Sequence, residues 1–550
     1  MDIAKPWLKS YPPGVPEFIE SVPYNSVAEM LEDACKKHAD RTAYVNFGKR
    51  ITYKQLDDMS QNLAAYLQSK LEKGTAVSIM MPNVMQYPVA VLAILRAGMV
   101  VTNTNPLYTA RELKHQLNDS SAKAIIVMEN FAHTLQEVID ETPVKEVITT
   151  QLGDLLGFKG KIMNFMVKKV KKMVPPFTLN KTITFNHAVS KGSSLNFTPV
   201  KTNLDDLAFL QYTGGTTGVS KGAMLTNSNM VYNVEQVKAW NQGSLKEGEE
   251  IVITALPLYH IFALNANCLL FAQYGAKNIL ITNPRDMPGF VKELANHKFT
   301  ALTGVNTLFN GLLNTPGFKD LDFSRFRFAL GGGMAVQKDT ATRWKETTGV
   351  TLIEAYGLTE TSPAACMNPA NLKDYNGMIG LPISSTECDI RDDDGNSLPV
   401  GESGELCIRG PQVMKGYLNR PEATAETIDE NGWLKTGDIA VMNEEGYFKI
   451  VDRKKDMILV SGFNVYPNEI EDAACLHPHI VECAAIGIAD EKSGEVVKLF
   501  VVASSEISAD DVISHCRENL TGYKVPKHVE FRDELPKSNV GKILRKDLRE

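Results

Sequence analysis

Leu207-Ala-Phe-Leu-Gln-Tyr-Thr-Gly-Gly-Thr-Thr-Gly-Val-Ser-Lys-Gly-Ala-Met-Leu225 reads as an apolar strand, a Gly/Thr-rich turn and a second apolar strand. Gly214, Gly215 and Gly218 let the backbone turn tightly and bring its N–H groups close to an anion. Thr213, Thr216, Thr217 and Ser220 add hydroxyls and Lys221 adds a cation, a donor set suited to a polyphosphate. A Walker A loop needs Gly-x-x-x-x-Gly-Lys-Ser/Thr opening directly into a helix. Here Ser220 stands between the loop glycines and Lys221, and Gly222 follows where Ser or Thr should be. The turn is therefore a phosphate cradle outside the P-loop class, and a plain flexible turn is the weaker reading.

The chain has 550 residues, more than one ordinary core accommodates, so several subdomains are expected. Its 43% apolar and 22% charged content is that of a soluble globular protein. A net charge of −7 argues against bulk nucleic-acid binding. Eight cysteines without a C-x-x-C pair indicate neither a zinc site nor a disulfide framework, and read as reduced thiols of a cytoplasmic protein. The first residues lack an apolar h-region, so no signal peptide is expected. Two uncharged runs, 76–95 and 251–276, are interrupted by Pro82, Pro88, Pro257, His260 and several amides. Each divides into a strand and a helix better than it spans a bilayer.

The first 150 residues alternate helices and strands, which implies an α/β layered core. Ser26 with Glu29 predicts a capping-box start for a helix to about His38. Thr42–Phe47 and Arg50–Tyr53 predict a hairpin across Gly48, and 55–68 has helical spacing. The continuous apolar runs Ala76–Met81 and Ala124–Met128 suit strands covered on both faces. Residues 158–176 differ. Lys159, Lys161, Lys168, Lys169, Lys171 and Lys172 occur there with no acid, and Ile162, Phe165, Met166, Val170, Met173 and Val174 share one helical stripe. That pattern fits a basic amphipathic helix on an anionic membrane surface, and fits equally a docked helix with a solvated lysine face.

Further on, His260 sits among apolar residues in Leu256–Leu264, where it can line an apolar pocket or simply be a core histidine. Phe328-Ala-Leu-Gly-Gly-Gly-Met334 reads as a strand followed by a glycine turn that a flat ligand can approach. Leu352-Ile-Glu-Ala-Tyr-Gly-Leu-Thr-Glu360 is a strand ending in a polar cluster, where α/β folds present ligand groups. Glu360 is a candidate ligand for Mg²⁺, a hard cation. Asp438, in Asn431–Asp438, can accept both hydroxyls of a ribose. Asp452-Arg-Lys-Lys-Asp456 interrupts two apolar runs and marks a domain boundary, leaving a small α+β domain. Lys542, in the basic Gly-hinged stretch Leu535–Lys546, is placed to reach into another domain's cleft.

Tyr212–Gly222, Tyr356–Glu360, Thr436–Asp438, Asp452-Arg453 and Pro536–Lys546 together resemble the ordered motifs of the adenylate-forming enzymes: acyl-CoA synthetases, luciferases and nonribosomal adenylation domains. Asn431–Gly462 resembles the fatty-acyl-CoA synthetase signature. Gly462–Glu471, Leu535–Gly541 and Leu107–Leu113 are similar to the bacterial long-chain-fatty-acid–CoA ligase branch.

The resemblance implies an α/β fold with a large multi-subdomain N-terminal domain of layered sheets and helices (1–451), a hinge (452–456) and a small mobile α+β C-terminal domain (457–550). It implies that a fatty carboxylate attacks the α-phosphorus of Mg-ATP, and that the CoA thiol then attacks the acyl carbonyl. Thr213, Gly214, Gly215, Thr216, Thr217, Gly218 and Lys221 would hold the β- and γ-phosphates, with Thr213 and Glu360 as Mg²⁺ ligands. Gly332, Gly333, Glu354, Ala355, Tyr356, Gly357 and Thr359 would surround the nucleotide base and its approach. Asp438 would bind the ribose, and Arg453 and Lys455 would lie nearby. Lys542 would stabilise charge in the first step only, and Asp452 would be the hinge. Gly331, His260, Phe262 and Leu264 would line the acyl site, with Gly462 at the pantetheine tunnel. Some relatives place a gating tryptophan four residues beyond the histidine; Leu264 stands there, so an apolar tunnel without an indole gate is expected. The resemblance leaves acyl chain length open and allows a homodimer. It fits a cytoplasmic protein, peripheral on the inner membrane face. Alternatives are a ligase for medium-chain or aryl acids, an acyl-AMP ligase serving a carrier protein, and a non-catalytic fatty-acid-binding protein.

Overall fold

The computed structural model describes residues 5–213, 220–461, 463–490, 492–538 and 541–549. Two large sheets form the frame. One has seven strands in the spatial order Thr182–Thr184, Glu146–Thr150, Ala124–Met128, Ala76–Met80, Val100–Asn103, Leu207–Thr213 and Lys221–Thr226. All its pairs are parallel except the last, the antiparallel hairpin that flanks the phosphate turn. The second sheet has nine strands, with Leu352–Gly357, Phe328–Gly332, Ala301–Gly304, Ile251–Thr254 and Lys277–Leu280 as its parallel centre and the hairpin Thr42–Asn46/Lys49–Thr52 at one edge. Every residue of Ala76–Met80 and Ala124–Met128 is buried, as their unbroken apolar character requires.

Helix Gln86–Arg96 explains how the sheets stack. All eleven of its residues are buried, so it is packed on every side. Its Tyr87 hydroxyl lies 2.7 Å from both Asn103 Oδ1 in the first sheet and the Leu258 carbonyl beside the second. Its last residue, Arg96, would be costly to bury alone; Glu32, Asp57 and Ser60 accept its N–H groups. A four-stranded antiparallel sheet follows, ending in Phe448–Arg453. The small α+β part has its own sheet, beginning at Ile458–Val460, and its own apolar core around Val465, Ile470, Leu499 and Val501.

The predicted helix at Ser26 is present as Val27–Lys37, but only half of the capping box forms. Ser26 Oγ accepts the Glu29 N–H at 3.1 Å, while the Glu29 carboxylate reaches past Ser26 to the Asn25 N–H at 2.7 Å. Residues 158–170 form a helix whose final turn is widened to π spacing. Its apolar stripe faces water rather than the core. Among the described residues, no helix is long and apolar enough to cross a membrane.

Trp344 is fully buried against Phe309, Phe318 and Phe326, with ring centroids 4.8–6.1 Å apart. Trp344→Ala should therefore cost about 3–5 kcal/mol. The check is a lower urea midpoint for loss of large-domain structure.

Candidate functional site

The site gathers where strands of both sheets end. Thr213 and Gly332 close parallel strands at their C-terminal ends, the place where open α/β sheets bind ligands. Thr213 pairs with Lys221 across the hairpin, and the Ser220 hydroxyl donates to the Thr213 carbonyl at 2.7 Å. His115 Nε2 lies 2.9 Å from the Ser220 carbonyl and steadies the same corner. Gly214, Gly215, Thr216, Thr217, Gly218 and Gly462 lie outside the described residues.

The glycine end of strand Phe328–Gly332 leaves little room for side chains. A methyl group on Gly331 would sit 2.7 Å from Val336 Cγ2, and one on Gly332 would meet the Phe262 ring at 3.1 Å. Gly333 has φ +78°, which glycine adopts without strain. Glu354 on the next strand holds this turn: its Oε1 accepts the Val336 N–H at 2.8 Å, and Tyr375 donates its hydroxyl to the Val336 carbonyl. Burial pushes the Glu354 carboxyl up to about 8, against the opposing pull on it of the Val336 N–H and the Tyr375 hydroxyl. Glu354 thus uses its side chain as a brace for the turn.

Tyr356, from the same strand, donates its hydroxyl to Asp438 Oδ2 at 2.6 Å. Asp438 is cross-strand partner to Arg453, whose Nε lies 3.3 Å from Oδ1. The Asp438 N–H is received by Thr436 Oγ1 at 3.1 Å. Burial, and then Arg453, lower the pKa of Lys455 beside them. Glu360 lies just after the strand, and Tyr417 donates its hydroxyl to Glu360 Oε1 at 2.6 Å. The Tyr417 ring also lies 4.9 Å from Lys221 Nζ, linking the lysine of the phosphate turn to the candidate metal ligand.

Lys542 enters this cluster from the small domain. It follows Gly541, whose φ is +82°, and the Thr307 hydroxyl of the large domain donates to the Gly541 carbonyl at 3.3 Å. Its Cε comes within 3.6 Å of where a Gly333 side chain would begin. Burial, and then Arg453, push its ammonium down to about 8, while Asp438 and Glu360 pull the other way. His260 faces the same lysine. Burial, with Lys542 adding to it, lowers its pKa to about 3, so it is neutral and caps its own helix with Nδ1 toward the Phe262 N–H at 3.4 Å. Leu264 is fully buried, and Phe262 is half-buried against the glycine turn.

Family models now meet the geometry. The AMP-binding enzyme model matches residues 31–418, and the AMP-binding enzyme C-terminal domain matches residues 469–542. The chain belongs to the AMP-binding enzyme family. Among members of that family, the long-chain-fatty-acid–CoA ligase of Escherichia coli O6:H1 is 56% identical over 99% of this chain and 98% of its own length. The long-chain-fatty-acid–CoA ligase of Bacillus subtilis is 37% identical over 100% and 98%. The ATP-bound crystal structure of MatB from Rhodopseudomonas palustris superposes with a TM-score of 0.82 at 27% identity, covering 96% of this chain and 98% of that one.

The structure thus brings Thr213, Lys221, the glycine turn, Tyr356, Glu360, Asp438, Arg453 and Lys542 around one cleft. Sequence reasoning missed Tyr417, Tyr375 and His115, since each acts through a partner distant in sequence. Only the Gly416-Tyr417 pair, with Gly416 at φ +142°, carries a local mark.

The Glu354 pKa has a sign that can be tested. Its folded value is raised, so its contribution to stability is fully present below the unfolded carboxylate range and is lost as pH rises through about 8. Glu354→Gln keeps the acceptor and removes the ionisation. The melting temperature of this variant should fall less than that of the parent between mildly acidic and mildly alkaline pH; parallel slopes would remove the assignment.

Proposed function

We propose that the protein is an AMP-forming ligase that activates long-chain fatty acids to their CoA thioesters through an acyl-adenylate. Support comes from full-length similarity to long-chain ligases and from one observation in particular: a small-domain lysine drawn into the nucleotide cleft of the large domain. A fatty carboxylate oxygen attacks the α-phosphorus of ATP and pyrophosphate leaves. The CoA thiol then gives up its proton to solvent, its sulfur attacks the acyl carbonyl, and AMP leaves with the electron pair of the broken mixed-anhydride bond. Neither step needs a covalent enzyme intermediate, so positioning and charge stabilisation carry the catalysis.

In this reading Lys542 places its ammonium where negative charge gathers between carboxylate and α-phosphate. Asp438 accepts the ribose hydroxyls, with Tyr356 and Arg453 fixing its orientation. Lys221 and the turn around it receive the terminal phosphates, and Gly331–Gly333 let the flat adenine lie against backbone. His260, Phe262 and Leu264 border the acyl chain, and neutral His260 adds no charge to an apolar path.

The donor set fits Mg²⁺. Glu360 offers a carboxylate and Thr213 a hydroxyl, both hard oxygens, and Glu360 has Tyr417 as its one side-chain hydrogen-bond partner among the described residues. No three His, Cys, Asp or Glu side chains cluster to cage a metal among the described residues, so the triphosphate and water would complete the coordination. Bound there, the ion would neutralise phosphate charge.

Asp452 is the proposed hinge, dividing 1–451 from 457–550. Its carboxylate accepts the Arg453 N–H at 2.6 Å and the Asn468 N–H at 2.8 Å. The proposed location is the cytoplasm, at the inner face of a membrane that holds the substrate, and a homodimer is compatible with the family. A medium-chain or aryl ligase would share the nucleotide machinery and differ only in the pocket. A carrier-protein ligase would release pyrophosphate without responding to CoA. A binding protein has no use for a lysine desolvated against nucleotide-binding carboxylates.

CoA-dependent AMP release across a panel of acids should be strongest with long chains; pyrophosphate release insensitive to CoA would overturn the thioester step. Lys542→Ala should lower acyl-adenylate formation by about 100-fold or more and spare thioester formation from supplied acyl-adenylate. Equal loss of both would remove the assigned role. The charged form of Lys542 prevails below about 8 and is lost above it, so kcat/KM for pyrophosphate release should fall on that alkaline limb. Lys542→Arg should move the limb to higher pH.

A further inference from the structure

Helix 158–170 and the turn after it carry a surface that the ligase chemistry does not use. One side of the helix is fastened to the body. Gly160 packs so closely on Gly153 that a methyl group there would lie 1.8 Å from the Gly153 carbonyl oxygen. Asn164 Oδ1 accepts the Gly153 N–H at 2.6 Å, Val167 is buried, and Asn130 Nδ2 donates to the Met173 carbonyl at 3.0 Å. Lys168 is ion-paired to the nearly buried Glu129 at 2.9 Å, so it belongs to this inner face and not to the free lysines.

The fastening fixes what points outward. Phe158 is 78% exposed, Ile162 52%, Phe165 60%, Val170 55% and Met173 56%. Single exposed apolar residues are ordinary, but a continuous helical stripe of them is not. Lys159, Lys161, Lys169, Lys171 and Lys172 surround the stripe and are exposed as well. From 155 to 204 the chain has nine lysines and no Asp or Glu, in a protein of net charge −7. The nearby acids are already engaged: Glu129 by Lys168 and Gln151, and Asp154 by Thr150, Gln151 and Asn164.

We propose that this outer face is a preformed docking surface for an anionic lipid bilayer, with Phe158, Ile162, Phe165 and Val170 entering the headgroup–acyl boundary and the free lysines meeting lipid phosphates. A protein partner would satisfy the stripe but would not need five mobile cations around it. A bilayer supplies both an apolar layer and a diffuse negative surface. The sheet order gives the orientation. The helix lies in the connection from Glu146–Thr150 to Thr182–Thr184, the edge strand, whereas Leu207–Thr213 stands five strand positions away. At about 4.8 Å per strand, strand Leu207–Thr213 lies on the order of 24 Å across the sheet from that edge strand, so a bilayer at the helix would leave the nucleotide side of the protein in water.

The test uses the full chain and vesicle co-sedimentation, a readout independent of turnover, so failure of this surface and failure of the ligase reading are distinguishable. The protein should bind phosphatidylglycerol/phosphatidylcholine vesicles, bind phosphatidylcholine alone far more weakly, and dissociate as salt rises. Phe158→Ser/Ile162→Ser/Phe165→Ser should lower the partition coefficient more than about tenfold. Lys159→Glu/Lys169→Glu/Lys171→Glu/Lys172→Glu should lower it about 100-fold or more, since each lysine near an anionic surface is worth about fivefold. These positions are exposed, so thermal unfolding and AMP release with a water-soluble short acid should match the parent; if one set misfolds, the other still decides. No binding of the parent to anionic vesicles overturns the proposal, as does unchanged binding by a folded variant. A concentration-dependent dimer lost in the serine variant, without vesicle binding, would also overturn it and assign the face to a second copy.

Discussion

A lysine ammonium drawn out of water is the interaction on which the architecture of this site depends. Lys542 is held against the large domain by the fit of Gly541 and Gly333 and by Asp438 and Glu360. Burying such a group is unfavourable unless negative charge is near. The cleft supplies two carboxylates, and Arg453 offsets part of their pull. The resulting balance leaves the lysine readily sensitive to whatever anion enters. In the proposed reaction a polyphosphate would shift it toward the charged form, so the substrate itself would strengthen the charge on Lys542.

The rest of the site is built to keep the walls of that cleft from moving. Glu354 and Tyr375 brace the glycine turn, and Tyr417 joins Glu360 to the lysine of the phosphate turn. Gln211 Nε2 donates to the Tyr259 carbonyl at 2.6 Å, and Asn103 donates to Gln211 Oε1 at 3.0 Å, so the phosphate strand and the His260 segment share one network. Buried polar networks of this kind are stiff when fully paired. Stiffness suits a reaction in which the protein's task is alignment.

Much of this was legible in the sequence because it is local. Apolar runs such as Ala76–Met80 announce buried parallel strands, and the motifs around Thr213, Tyr356, Asp438 and Lys542 each sit in one short stretch. What stayed hidden is pairwise and distant. Tyr417 lies 57 residues from Glu360, and nothing in its neighbourhood predicts that partner. Glu354 could be placed on a strand, but not assigned to the Val336 amide. The stripe at 158–173 shows the limit from the other side: periodicity reveals an amphipathic helix, yet only the contacts of Gly160 and Val167 decide which face is covered.

Arg545 has a consequence for timing. Its guanidinium binds Glu471 at 2.8 Å and Asn468 at 2.7 Å, and it lies 3.6 Å from both Asp452 and Asp456. Two residues, Ile543 and Leu544, separate it from Lys542, so the proposed pivot and the inserted lysine are joined by a short stretch of chain. In the proposed cycle, turning at Asp452 cannot leave Lys542 behind. In that proposed cycle a seated lysine would serve adenylate formation and a withdrawn one would mark the thioester step, so one molecule would engage in one step at a time.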